Sequence, residues 1–314
     1  MISKQRHNTN NAIVQQQNAV AAQFEAKQLI ICMFPQSFCV CCGVGRRKKA
    51  TISSSNIVSM PDYTIAKKYL LTLYSMITTI DLLSDDPKVV EEIKSLMSAP
   101  YNFKKGPSVY FHHKAIEYAR NEEEFLEDRH LEYIYATLAS WGMHRMGPKG
   151  AKMPEFEDFK SSIQAHKPFF DKVKSKTINN ISHEEFEEIL DKLKTICFGQ
   201  KPIQATTSVS KLVSSTKTLA HILPDLVPPI DRQYTLKFFY GTKNHLINND
   251  DSGRKVFEDV MRYMYKVYSK NCQFERLASN IKSLDKCFCG SLPKIFDNVV
   301  INCTTKGIKL NNTI

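Results

Sequence analysis

The stretch Leu223-Pro-Asp-Leu-Val-Pro-Pro-Ile-Asp-Arg-Gln-Tyr-Thr235 decides how this chain is read. Proline lacks an amide N–H and clashes with the turn before it, so Pro224, Pro228 and Pro229 interrupt any helix and stiffen the chain around them. On one side, Val209–Leu223 has the spacing of an amphipathic helix. On the other, a second helix is expected to open at Asp231 and to close at Gly241. An Asp at that position can accept hydrogen bonds from the free N–H groups of the first turn. The segment reads as helix, rigid loop, helix. Asp231 has two readings at this point: a helix cap, or a carboxylate held for chemistry.

Working outward, the same helical signals recur. After Asn121 the run Glu122–Trp141 has an acidic first turn, and Leu131, Ile134, Leu138 and Trp141 share one face. Ser182-His-Glu-Glu185 is a capping box, followed by Phe186, Ile189, Leu190, Leu193 and Cys197 at helical period. Val256, Phe257, Val260, Met261, Met264 and Tyr268 form another stripe, expected to start after Ser252-Gly253. Pro61–Leu83 predicts a long apolar helix, and Asp86-Pro87 opens a short one that Ala99-Pro100 stops. Residues Asn298–Leu310, with Val299, Val300, Ile301 and Ile308, are the one stretch that reads as a strand. The expectation is a mainly α chain. Residues 1–58 form a disordered, basic, Cys-containing leader, and 59–302 a single helical domain with room for two lobes around a cleft. Residues 303–314 are a C-terminal tail.

The chain has 314 residues, 42% of them hydrophobic, enough to bury a sizeable core. Its formal charge is +11. Seven basic residues against Glu25 place +6 of this within residues 1–60. Such a balance points to anionic partners, DNA or RNA or a membrane surface. No run of about 20 apolar residues is present, as a spanning helix requires. The Gln/Asn-rich start does not fit a secretory signal, so an intracellular protein, nuclear or cytoplasmic, is expected. Nine cysteines argue against a fully paired disulfide framework. Cys287-Phe-Cys289 stands alone, so neither a metal nor a cofactor is expected. Cys39, Cys41 and Cys42 precede Arg46-Arg47-Lys48-Lys49, a pattern open to acylation beside a polybasic patch.

Two segments have residue types suited to chemistry. Trp141-Gly-Met-His-Arg-Met-Gly-Pro-Lys-Gly-Ala-Lys152 follows a helix end at Gly142. Its glycines leave the backbone open, and His144, Arg145, Lys149 and Lys152 surround it with donors for phosphate. A basic connector is the alternative. The other segment is Val209–Gly241. Its Lys-Thr-Leu-Ala helix, Pro-x-Asp helix start and aromatic helix ending in Gly resemble the helix-hairpin-helix DNA glycosylase superfamily. The resemblance covers about 35 residues. It implies Asp231 as the catalytic carboxylate and Lys217 as the Schiff-base amine. Trp141 or Tyr234 would line a pocket for a base lifted from the duplex, and His144, Arg145, Lys149 and Lys152 would contact nucleic acid. The function so implied is that of a nucleic-acid-interacting protein. The competing reading is a non-catalytic helical interaction domain, anchored at a membrane through the leader.

Overall fold

The computed structural model describes residues 91, 94–98, 106–144, 146–147, 150–208, 210–241, 250–270, 275–276, 278–280 and 290–306. All belong to one unit, Ser59–Ile314. The leader with Cys39, Cys41 and Cys42, the run 61–83, and Arg145 and Lys149 lie outside the described residues.

The protein is mainly helical, as its periodicity requires. We number the helices α1 Pro107–Ala119, α2 Asp128–Leu138, α3 Phe156–Gln164, α4 Lys167–Val173, α5 His183–Phe198, α6 Leu212–Ile222, α7 Lys237–Tyr240, α8 Asp250–Lys270 and α9 Leu292–Lys306. Single π-helical turns, Ala139–Met143 and Arg232–Leu236, extend α2 and precede α7. Between α2 and α3 a short antiparallel ladder pairs Met146 with Ala151 and Gly147 with Gly150.

Helix α6 is central and packs against α1, α2, α5 and α8. It is unusually polar for that position, with Ser214, Ser215, Thr216 and Thr218 all buried. The hydroxyls of Ser214, Thr216 and Thr218 donate back to the carbonyls of Lys211, Val213 and Ser214. This back-bonding satisfies those three hydroxyls inside the helix core, while the buried Ser215 hydroxyl has no partner among the described residues. The apolar stripes of α5 and α8 meet along a seam where Phe186 stacks on Tyr265, ring centroids 4.2 Å apart. Lys194–Glu258 and Arg262–Glu187 flank that seam.

Ser182 caps α5 as the capping box requires, its Oγ accepting from the Glu185 N–H at 3.2 Å. Ser182→Ala is expected to cost about 1 kcal/mol, read as a lower denaturant midpoint at unchanged slope.

Three boundaries differ from the sequence expectation. After Asn121 the chain turns instead of entering a helix. The Asn121 side chain accepts from the Glu123 N–H, and Leu126 takes a positive φ of 60°. Burial of Phe125 and Leu126 holds this turn, so α2 opens only at Asp128. Helix α8 begins at Asp250 and runs through Gly253. A Cβ there would lie 3.1 Å from the Phe198 ring, so the glycine serves close helix packing and does not break the helix.

The third difference is a correction. Val299, Val300 and Ile301 are not a strand: they lie in α9, which continues to Lys306, beyond the expected tail boundary. Their β-branched preference is overridden because Ile295, Phe296, Val299, Val300 and Cys303 repeat at helical spacing and are buried together. Asn298 and Asn302, one turn apart on α9, donate to the carbonyls of Met97, Leu96 and Ser98. That pairing pins the turn ending at Ser98.

Candidate functional site

The proline loop is held by specific bonds. Its Ile230 N–H donates to Thr216 Oγ1 on α6 at 3.3 Å, and its Asp225 carbonyl accepts from the Ile178 N–H at 3.0 Å. Arg120, at the end of α1, reaches both the Asp225 carboxylate and the Gly290 carbonyl, at 2.6 Å for the latter. The loop is thereby tied to α1, α6 and the start of α9, and Asp231 is delivered to a defined place.

At that place Asp231 caps the following turn. Its Oδ1 accepts from the N–H groups of Gln233 (2.6 Å) and Tyr234 (3.3 Å), and its own N–H donates to Thr235 Oγ1. Its Oδ2 lies 3.2 Å from Lys217 Nζ. Lys217 is on α6, 14 residues earlier, with its side chain only 12% exposed. The ammonium also lies 5.2 Å from the centroid of the Trp141 ring, within cation–π range. The structure thus brings Lys217, Asp231 and Trp141 together. Tyr234 joins them through its backbone N–H, and burial with the nearby Asp231 charge raises its phenol pKa.

Of the basic residues in the 141–152 segment, His144 and Lys152 are described, and they are used differently. Gly142 takes φ 82°, a left-handed conformation that ends the α2 extension. The His144 ring donates to the Ala139 carbonyl at 2.6 Å, a bond that caps the helix end while leaving the residue exposed. The Lys152 carbonyl accepts from the Thr207 N–H and the Thr206 hydroxyl, which fastens the ladder to the loop before α6.

Sequence reasoning missed the polar groups that surround this cluster. His221 lies one turn after Lys217 on α6, and its Nδ1–H donates to the Lys217 carbonyl at 2.7 Å. The carbonyl can only accept, so the neutral ring has its lone pair on Nε2. That lone pair faces His112 Nδ1 at 2.9 Å, which makes His112 the donor. A third histidine, His130, accepts the Leu126 N–H on Nδ1 and donates from Nε2 to the His221 carbonyl. All three imidazoles are held neutral. Desolvation, helped for His112 by His221 and Lys294, puts its pKa well below 6.5. Burial takes His221 and His130 down to about 4.

Helix α9 adds Lys294 and Asp297, paired at 2.6 Å. Desolvation raises the Asp297 pKa against the pull of that lysine, and the Asp231 charge raises it further. Two lysine–aspartate pairs and two hydrogen-bonded histidines therefore share one region, assembled from α1, α6, the proline loop and α9. The i,i+4 spacing of Lys217 and His221, and the i,i+3 spacing of Lys294 and Asp297, were the available signals. His112 has none, because its partner is 109 residues away.

A pocket of about 400 Å³, counting space open to solvent, lies between these elements. Its walls are His112, Trp141, His221, Pro224, Pro229 and Lys294 among others, and its interior has room for about one water. Among the described residues no group of three His, Cys, Asp or Glu side chains is placed to hold a metal. No described helix is long and apolar enough to cross a membrane. No family model matches the chain, and no curated protein or solved structure matches it significantly.

Proposed function

We propose that this chain is a nucleic-acid-interacting protein, and that Lys217 and Asp231 form a base-excision pair of the kind its resemblance to helix-hairpin-helix glycosylases implies. The observation that carries the reading is the 3.2 Å approach of Lys217 Nζ to Asp231 Oδ2 beside Trp141. A glycosidic bond breaks through an oxocarbenium-like state, whose developing positive charge a fixed carboxylate stabilises. Asp231 is fixed in that way by two N–H bonds from the next turn. Once deprotonated, the Lys217 amine would attack C1′, and the departing base would leave with the bonding electrons and take up a proton.

The residues before Lys217, Val213–Thr216, already form the first turn of α6, so no glycine hairpin stands there to grip a phosphate. In this reading phosphate contacts fall to His144, Arg145, Lys149 and Lys152.

A second reading, a non-catalytic helical interaction domain, is favoured by a different observation. Both oxygens of Asp231 are engaged within the chain, Oδ1 by the helix start and Oδ2 by Lys217. A scaffold role needs nothing more.

Binding to duplexes carrying single damaged bases separates the two. Under the first reading affinity falls by at least about tenfold between 50 and 200 mM salt, and charge reversal at Arg145 and Lys149 weakens it. Borohydride should trap a covalent adduct through Lys217, and Asp231→Asn, which preserves the cap, should abolish base release. Absent or salt-insensitive binding supports the scaffold reading.

A further inference from the structure

The pocket beside the Lys217–Asp231 pair has a hydrogen-bonding polarity of its own. His112 is 9% exposed. Its Nδ1–H is committed to His221, so the neutral ring must present its second nitrogen, Nε2, as an acceptor. Among the described residues that nitrogen has no partner. Nε2 is not sealed from solvent, and the ring lines the pocket. A buried acceptor without a donor is costly unless water or a ligand supplies one. Lys294, which also lines the pocket, gives one ammonium hydrogen to Asp297 and has two more to offer.

Most of the remaining lining is apolar, with Ile116, Trp141, Ala220 and Val227 beside His221 and Ser291. Trp141 lies 5.8 Å from His112 and 5.2 Å from His221, centroid to centroid, with Pro224 and Pro229 completing the rim. Such walls take a planar ring by stacking. The interior has room for about one water, so only an edge of a ring enters it.

We propose that this pocket binds an uncharged planar heterocycle that has a ring N–H beside a carbonyl. The N–H donates to His112 Nε2, the carbonyl accepts from Lys294, and the ring lies against Trp141. The preference follows from the pocket's own groups. It deepens the nucleic-acid reading by naming the edge recognised, yet it stands whether or not Lys217 and Asp231 break a bond.

Trp141 is the single tryptophan of the chain, so its fluorescence reports on this pocket alone. The probes are uridine, which has the N–H flanked by carbonyls, and 3-methyluridine, in which a methyl replaces that hydrogen. Uridine is expected to change Trp141 emission saturably and to move the ¹⁵N resonance of His112 Nε2. 3-Methyluridine should bind at least about tenfold more weakly, the discrimination typical of a site left with an unpaired buried acceptor. His112→Asn keeps a donor toward His221 but removes the Nε2 acceptor. It should erase the discrimination while leaving the thermal midpoint within a few degrees. Equal affinity for the two nucleosides, a shift at Trp141 without one at His112, or no saturable change with either overturns the proposal. Because free nucleosides are used, failure here is distinct from failure of duplex binding or base release.

Discussion

Between pH 7 and pH 4 the unfolding free energy of the helical body is expected to fall by ~6 kcal/mol, a large share of the total for most domains. The cause is the buried histidine group. His130 and His221 are neutral in the folded protein, with pKa about 4 against an ordinary 6.5. The unfolded chain therefore takes up protons first as the pH falls below about 6.5, and each proton it binds favours unfolding. The stability that these rings contribute is fully present above 6.5 and is lost as the pH approaches 4. Each contributes ~3 kcal/mol across that window. His112, also lowered, acts in the same direction. Asp297 acts in the opposite one: with its pKa raised, it takes a proton more readily folded than unfolded. That offsets part of the loss at the acid end. Urea titrations at pH 7, 5.5 and 4.5 measure this directly. A midpoint that stays constant across the three would show that the histidines do not titrate as buried neutral rings.

Asp231→Ala is expected to destabilise the protein by about 3 kcal/mol, and Asp231→Asn by about half as much. Alanine removes the cap from the turn after the proline loop and leaves the Lys217 ammonium, 12% exposed, without its carboxylate. Asparagine still accepts the N–H bonds of Gln233 and Tyr234 but has no charge to offer Lys217. The double variant Lys217→Met with Asp231→Asn should recover part of the loss, because no unpaired charge is then left inside. The two-variant cycle, read by thermal or urea denaturation, gives the coupling energy. A cost for Asp231→Ala within about 0.5 kcal/mol, the range of an ordinary surface substitution, would show that the residue holds neither the turn nor the lysine. Since Asp231→Asn keeps the cap, it is also the variant in which the proposed base release is tested apart from the structure.

Much of the fold is legible in the described helices taken one segment at a time. Ser182, Asp231, Gly142 and Gly241 punctuate helices through local backbone geometry, and each is used in that way. The apolar stripes of α5 and α8 face the core because a period of 3.6 leaves them no other stable placement. Val299–Ile301 misread as a strand because three β-branched residues in a row carry a local preference that only the burial around Phe296 and Cys303 reverses. The helix expected after Asn121 starts late for a related reason. Leu126 accepts a positive φ since Phe125 and Leu126 gain more by burial than the strained turn costs.

The candidate site divides along the same line. Lys217 and Asp231 could be named from the segment that contains them, because proline stiffness and helix capping act over a few residues. His112, His130, Lys294 and Asp297 could not. Each is an ordinary residue until α1, α2, α6 and α9 close around the proline loop, and a hydrogen bond spanning 109 positions leaves no mark on sequence spacing. Local chemistry determined that a rigid loop presents a capped carboxylate at Asp231. Only tertiary packing decided what surrounds it, because desolvation and charge pairing depend on which helices share the interior.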